Sequence, residues 1–139
     1  MILLDTNVVS ELMKATPAPA VLAWMSHQPP NDLFISTIST AEILFGIELL
    51  PKGKRRDGLL QEAEVTFARD FASRILAFDE PAARMFGSIV AARRIQGRPM
   101  GIADGQIAAI ARCCHASLAT RDTDDFEGCG VQLVNPWEE

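Results

Sequence analysis

The sequence predicts an α/β protein with a small, mainly parallel sheet flanked by helices. Three observations carry that expectation: apolar runs too short for helices, longer segments of helical periodicity between them, and turn-forming residues at the junctions. Alternation of this kind places a strand, a helix and the next strand in parallel, with helices covering both faces of the sheet.

Ile2-Leu3-Leu4 reads as a buried strand, and Asp5-Thr6-Asn7 breaks it with side chains that favour turns. Residues 8–13 suit a short helix. Pro19 is well placed to open a second helix through Val21, Leu22 and Trp24, which Pro29-Pro30-Asn31 ends. Residues 33–35 read as a strand and residues 41–50 as an apolar helix, for which Ser39-Thr40-Ala41-Glu42 matches the S-x-x-E capping box. Helical periodicity returns over residues 55–71, with Leu59, Leu60, Ala63 and Phe67 near one face. Ile75, Ala77 and Phe78 then suggest a strand. Asp79 is a good cap for a helix that runs to Gly97. A further helix over residues 103–114 precedes two final strands, at 117–120 and 131–134.

The length of 139 residues and an apolar fraction of 48% suit one domain spanning residues 1–139 and exclude a disordered chain. No apolar run approaches the ~20 residues that span a bilayer, and the start carries no basic, cleavable apolar stretch, so the expected location is cytoplasmic, without a membrane partner. Three cysteines, Cys113, Cys114 and Cys129, lack C-x-x-C spacing and read as core residues. The net charge of −5 excludes a protein that coats nucleic acid through charge alone. That total is uneven: residues 51–100 carry net +4 and the remainder net −9. Folding that joins the acidic ends would create a concentrated acidic site apart from a basic surface.

In open parallel sheets ligands bind beyond the carboxyl ends of the strands, which directs attention to four acids. Asp5 follows the first strand and Asp122 follows Leu118-Ala119-Thr120, while Glu42 and Asp104 fall in the first turns of helices. Each also has a structural explanation. Asp5 and Asp122 suit Asx-turns, Asp104 suits a cap, and Glu42 suits the capping box. Together they point elsewhere, because two unit charges about 4 Å apart cost roughly 4 kcal/mol at an effective dielectric near 20. A divalent ion offsets that repulsion, and oxygen ligands without nearby His or Cys favour Mg²⁺ or Mn²⁺ over zinc. Such an ion can acidify water, polarise a phosphoryl oxygen and align a substrate for phosphoester hydrolysis. Thr6, Asn7 and Thr120 sit beside the acids as candidate donors to them.

These residues resemble the PIN-domain nucleases, and more closely the VapC toxins of bacterial toxin–antitoxin pairs. The resemblance runs the whole length: Leu3-Leu4-Asp5-Thr6-Asn7-Val8-Val9-Ser10-Glu11, Thr40-Ala41-Glu42-Ile43-Leu44 with Gly46, Ile102-Ala103-Asp104-Gly105-Gln106-Ile107, Ala119-Thr120-Arg121-Asp122 with Asp125-Phe126, and Asn135-Pro136-Trp137. It implies a PIN fold and a metal-dependent endoribonuclease in which Asp5 and Asp104 bind Mg²⁺ or Mn²⁺ directly and Glu42 contributes directly or through water. Many relatives carry Asn where this chain has Asp122, with Asp125 three residues on; Asp122 is favoured as the fourth acid. Gly105 stands where many relatives have Ala, which either permits a close approach or carries no meaning. The resemblance further implies a homodimer, an RNA substrate, and a cognate antitoxin that blocks the site and supplies DNA binding. Trp24 with Val21, Leu22 and Met25 is one candidate groove for that partner, or a core cluster.

Lys52, Lys54, Arg55 and Arg56, and separately Arg93, Arg94 and Arg98, read as RNA-backbone contacts or as ordinary solvated faces. Cys113-Cys114-His115 lacks zinc spacing, and His27 with His115 is a poor acid–base pair because neither lies near the acids. A receiver domain or an aspartyl phosphatase fits poorly, since the only lysines are Lys14, Lys52 and Lys54. The remaining alternative is a catalytically inert PIN-like binding module that acts through an antitoxin and operator complex.

Overall fold

A computed structural model describes residues 1–139. Five parallel strands, β1 (Ile2–Leu4), β2 (Leu33–Ser36), β3 (Ile75–Leu76), β4 (Ser117–Ala119) and β5 (Leu133–Val134), form one sheet in the order β3-β2-β1-β4-β5. The order reverses between β1 and β4, which is where an open parallel sheet leaves a crevice at its carboxyl edge.

The strands are two to four residues long, so each presents only one or two side chains to either face. Leu4, Leu33, Ile35 and Ala119 point to one face; Leu3, Phe34 and Leu118 point to the other. Helices α1 (Thr6–Leu12), α2 (Pro19–Ser26), α3 (Thr37–Glu48) and α4 (Lys54–Val65) cover the first face through Val8, Val9, Val21, Trp24, Ile43, Ile47 and Ala63. A π-helical turn, Thr66–Asp70, extends α4 and adds Phe67. Helices α5 (Glu80–Ile95), α6 (Ile102–Cys113) and α7 (Thr123–Phe126) cover the second face through Ala82, Ile89, Ile107, Ile110 and Phe126. No helix is long and apolar enough to cross a membrane.

Two helix ends matter for the site. Asp79 caps α5 by accepting the Ala82 N–H at 3.1 Å, as its position after an apolar run predicts. At the other end Gly97 adopts φ +75°, and the N–H groups of Gly97 and Arg98 return to the carbonyls of Arg94 and Arg93 at 3.0 and 2.9 Å. That Schellman closure turns the chain back towards α6.

Helix α6 packs on α5 through Gly105. A Cβ at that position would lie 2.7 Å from Val90 Cγ2 and 2.8 Å from Phe86 Cε2, so this glycine does permit a close approach. Gly105→Ala is expected to lower stability by about 1–2 kcal/mol, because overpacking of ~1–3 kcal/mol exceeds the roughly 1 kcal/mol gain in helix propensity. Urea denaturation checks this; a midpoint at or above that of the wild type would show that Phe86 and Val90 yield freely.

Candidate active site

Asp5 is the first residue beyond β1, and its N–H still bonds the Ala119 carbonyl of the neighbouring strand at 2.9 Å. Its side chain therefore emerges at the carboxyl edge between β1 and β4. Oδ1 accepts the Thr6 N–H at 2.8 Å and caps α1, while Oδ2 accepts the Thr120 hydroxyl at 2.7 Å. Thr120 is buried and fully used: it donates its one hydrogen to Asp5 and accepts from the Asp122 N–H at 3.1 Å and the Asn7 amide at 3.4 Å. Asn7 also donates to Asp122 Oδ2 at 3.1 Å. A turn role and a site role thus coexist in the same carboxylate.

Glu42 arrives by a different route from the one its capping-box position suggests. Helix α3 begins at Thr37, three to four residues before the expected start, and its cap is Ser36, whose hydroxyl accepts the Ser39 N–H at 3.1 Å. The capping-box reading of Ser39 and Glu42 is therefore wrong, because Ser36 ends β2 already in extended geometry and captures the helix first. Glu42 lies in the second turn, with Oε1 accepting the Thr6 hydroxyl at 2.7 Å. Since Thr6 has a single hydrogen, its 2.8 Å contact with Ser39 must be donated by Ser39. Ser36 makes a longer donor contact to Ser39 at 3.5 Å. Three hydroxyls thus point one way, from the end of β2 to the Glu42 carboxylate.

Asp104 is the third residue of α6, which Gly101 precedes without a side-chain cap. Its half-buried carboxylate accepts no hydrogen bond from the chain, so capping does not explain it. The helix dipole favours a negative charge there.

Asp5, Glu42, Asp104 and Asp122 line one cleft of about 440 Å³, together with Thr6, Asn7, Ser10, Glu11, Lys14, Arg121 and Trp137. Asp125 lines, with Asp124, an adjoining cavity that shares Arg121 and Asp122 with the cleft. Burial pushes the Asp5 carboxyl up to about 6, against the opposing hydrogen bonds from Thr120 and Thr6 and with added repulsion from Asp104 and Glu42. Asp104 is also raised, by burial first and then by Asp125, Glu42 and Asp122, with Arg93 opposing. The cleft therefore holds its negative charge at a cost that a cation would relieve. Its donors are carboxylate and hydroxyl oxygens, and no three His, Cys, Asp or Glu side chains stand close enough together to hold a metal ion by themselves, so two carboxylates completed by water are what the cleft offers. Mg²⁺ and Mn²⁺ suit such a set, because they bind few carboxylates and retain water. His115, next to Cys113 and Cys114, closes α6 at φ +53°.

Several other expectations change. Trp24 is only 8% exposed and packs in the core with Val21, so it forms no groove; the apolar groove beside the cleft is lined by Met13, Ile43, Ile47, Leu50 and Leu59. Lys54, Arg55 and Arg56 belong to the first turn of α4 rather than a loop, and Arg56 pairs with Glu48. Arg93 is buried, not solvated, and Arg98 bonds the Asp124 carbonyl at 3.1 Å. His27 sits at the end of α2 against the Ala23 carbonyl at 2.6 Å. Residues that the sequence did not single out also line the cleft. Glu11 accepts from Lys14 Nζ at 2.9 Å and from the Ala18 N–H at 3.0 Å, which together hold its carboxyl below the ordinary range. Its i,i+3 spacing from Lys14 was the available signal. Arg121 and Trp137 were visible only as neighbours of better-known motif positions.

Residues 2–129 match the family model described as PIN domain. The chain is 44% identical to VapC ribonuclease Y4jK of Sinorhizobium fredii, with 99% of each chain covered. It is 40% identical to Toxin FitB of Neisseria gonorrhoeae, with 100% of each covered. A solved structure of FitAB bound to an IR36 DNA fragment contains a chain that superposes with a TM-score of 0.92 at 40% identity, over 99% of this chain and 96% of that one. With its parallel sheet, its crevice at β1 and β4 and full-length likeness to these relatives, the chain belongs to the PIN-domain family, among the VapC-type toxins.

Proposed function

We propose that this protein is the toxin of a toxin–antitoxin pair and an endoribonuclease that uses Mg²⁺ or Mn²⁺ at the acidic cleft, with Asp5, Glu42, Asp104 and Asp122 as its working residues. One observation carries the reading: four acids from four separate elements meet in one cleft at the switch point of the sheet, and burial raises two of them. Asp5 and Asp104 would hold the ion. A bound divalent ion supplies charge neutralisation for the phosphoryl oxygens and a lower pKa for water.

The chain's own residues do the rest. Thr120 and the Thr6 N–H each engage one oxygen of Asp5, leaving each oxygen with a further lone pair to offer a cation. Thr6 occupies Oε1 of Glu42, so Oε2 is the atom available to take a proton from the attacking water as its oxygen bonds to phosphorus. The bond to the leaving oxygen breaks, and that oxygen takes up a proton from solvent water, while the proton on Glu42 is released to solvent afterwards. Asp122, held by Asn7, completes the wall.

An antitoxin is the inferred protein partner, with DNA reached through it. The apolar groove supports this, because it shares Thr6, Ser10, Lys14 and Glu42 with the cleft, so a chain seated there also covers the acids. Phe45 of α3 and Leu49, just past its end, are exposed. A homodimer is inferred from kinship. The cytoplasm is the proposed location.

RNA cleavage by wild type and by Asp104→Asn, each with Mg²⁺, Mn²⁺ or EDTA, tests the reading. Cleavage is expected only from wild type with metal. Equal cleavage in every tube would expose a contaminant or a metal-free mechanism, and no cleavage of any RNA would favour an inert binding module.

A further inference from the structure

We propose that Arg121 is the residue that grips an RNA phosphate beside the acids, and that Trp137 positions it; the inference rests on the ribonuclease reading above. A cleft lined by acids repels a polyanion, so a strand entering it needs a fixed cation at the wall. Two cations line this cleft, Lys14 and Arg121. Lys14 is already matched, with Nζ 2.9 Å from Glu11 Oε1. Arg121 makes no such contact: its charge helps to hold the Glu11 carboxyl down from a distance, but its guanidinium donates no hydrogen bond and joins no ion pair, and only its backbone is bonded, its N–H to Asn7 Oδ1 at 3.4 Å and its carbonyl to the Asn135 amide at 3.5 Å.

The free guanidinium is nevertheless held. Its Cζ lies 5.1 Å from the centroid of the Trp137 ring. That ring packs against the apolar core, and the Trp137 N–H bonds Asn135 Oδ1 at 3.0 Å, so Asn135 ties the two backbone segments together. A guanidinium stacked on an indole keeps all its in-plane donors open, and that fork matches two oxygens of one phosphate. Lys14 and Arg121 are also two of only three basic residues outside residues 51–100, so the cation serving the acids comes from the acidic part of the chain.

The test compares wild type with Arg121→Ala, Arg121→Lys, Trp137→Phe and Trp137→Leu. Binding of a single-stranded RNA oligonucleotide is measured by fluorescence anisotropy with Ca²⁺ in place of Mg²⁺, and cleavage by steady-state kinetics with Mn²⁺. Arg121→Ala is expected to raise Kd and KM about tenfold, with the loss carried by KM rather than kcat, and to reduce the salt slope of log K by about 0.7, the share of one single-strand phosphate contact. Trp137→Phe retains the stack and stays near wild type, while Trp137→Leu and Arg121→Lys, which lose it, fall between. Affinity for Mn²⁺ stays unchanged in all four. Wild-type cleavage with KM and salt slope unaltered by Arg121→Ala would overturn the inference and leave the ribonuclease reading standing. Arg121-dependent RNA binding without any cleavage would do the reverse, and a wild type that neither cleaves nor binds RNA would remove both.

Discussion

Asp5→Asn is expected to stabilise the metal-free protein by about 2 kcal/mol at pH 8 while lowering RNA cleavage by on the order of 10³-fold. Asp5 is 5% exposed, and its carboxyl is raised from 3.8 to about 6, chiefly by burial. A folded-state value above the unfolded one contributes stability that is fully present below pH 3.8 and lost as pH rises through 6. Two pKa units correspond to roughly 3 kcal/mol, which the folded state forfeits at pH 8 and an amide does not. The amide has one accepting oxygen for the two donors Thr6 and Thr120, because its nitrogen only donates, and the lost hydrogen bond removes about 1 kcal/mol of the gain. Thermal denaturation in EDTA at pH 4 and pH 8 checks the sign: wild type should lose stability between them relative to the variant. Equal pH sensitivity would show that another group carries the shift. Added Mn²⁺ should raise the wild-type midpoint and leave that of the variant unchanged.

Arg93→Met is expected to lower stability by about 3 kcal/mol and weaken Mn²⁺ binding. Arg93 is 4% exposed, donates from Nε to the Arg98 carbonyl at 2.7 Å and from Nη1 to the Glu127 carbonyl, and has no carboxylate in ion-pair contact. Charged donors to carbonyls contribute about 1.5–3 kcal/mol each, and Met leaves both acceptors without a partner. These bonds fasten the end of α5 to the turn before α6 and to the end of α7, the two elements that present Asp104 and follow Asp122. Arg93 also lowers the Asp104 carboxyl, so its removal lets that acid hold its proton more tightly against the metal. Urea denaturation and a Mn²⁺ titration measure the two effects. Unchanged stability would mean that water replaces the guanidinium at both carbonyls.

What was legible in the sequence was local. Ile2–Leu4 as a strand, Pro19 at the head of α2 and Asp79 as the cap of α5 follow from chemistry within four residues, and the structure has all three. The start of α3 was misread because Ser36, Ser39 and Thr40 can each cap a helix, and only the end of β2 decides among them. Helix α7 was missed because four residues carry no periodicity; it is held by Arg93 and Arg98, some thirty residues earlier in sequence. The four acids were legible as a set, since each stands at the end of an apolar run or in an early helical turn. Their meeting in one cleft rests on strand order, which no local pattern encodes. The stacking of Arg121 on Trp137 is likewise non-local.

The hydroxyls of Ser36, Ser39 and Thr6 are rotors that water would leave free to spin. Here each has one heading, fixed when β2 and α3 fold against α1, so their orientational entropy is surrendered during folding and not at each turnover. Glu42 consequently meets an arriving charge in surroundings that have no reorientation left to make.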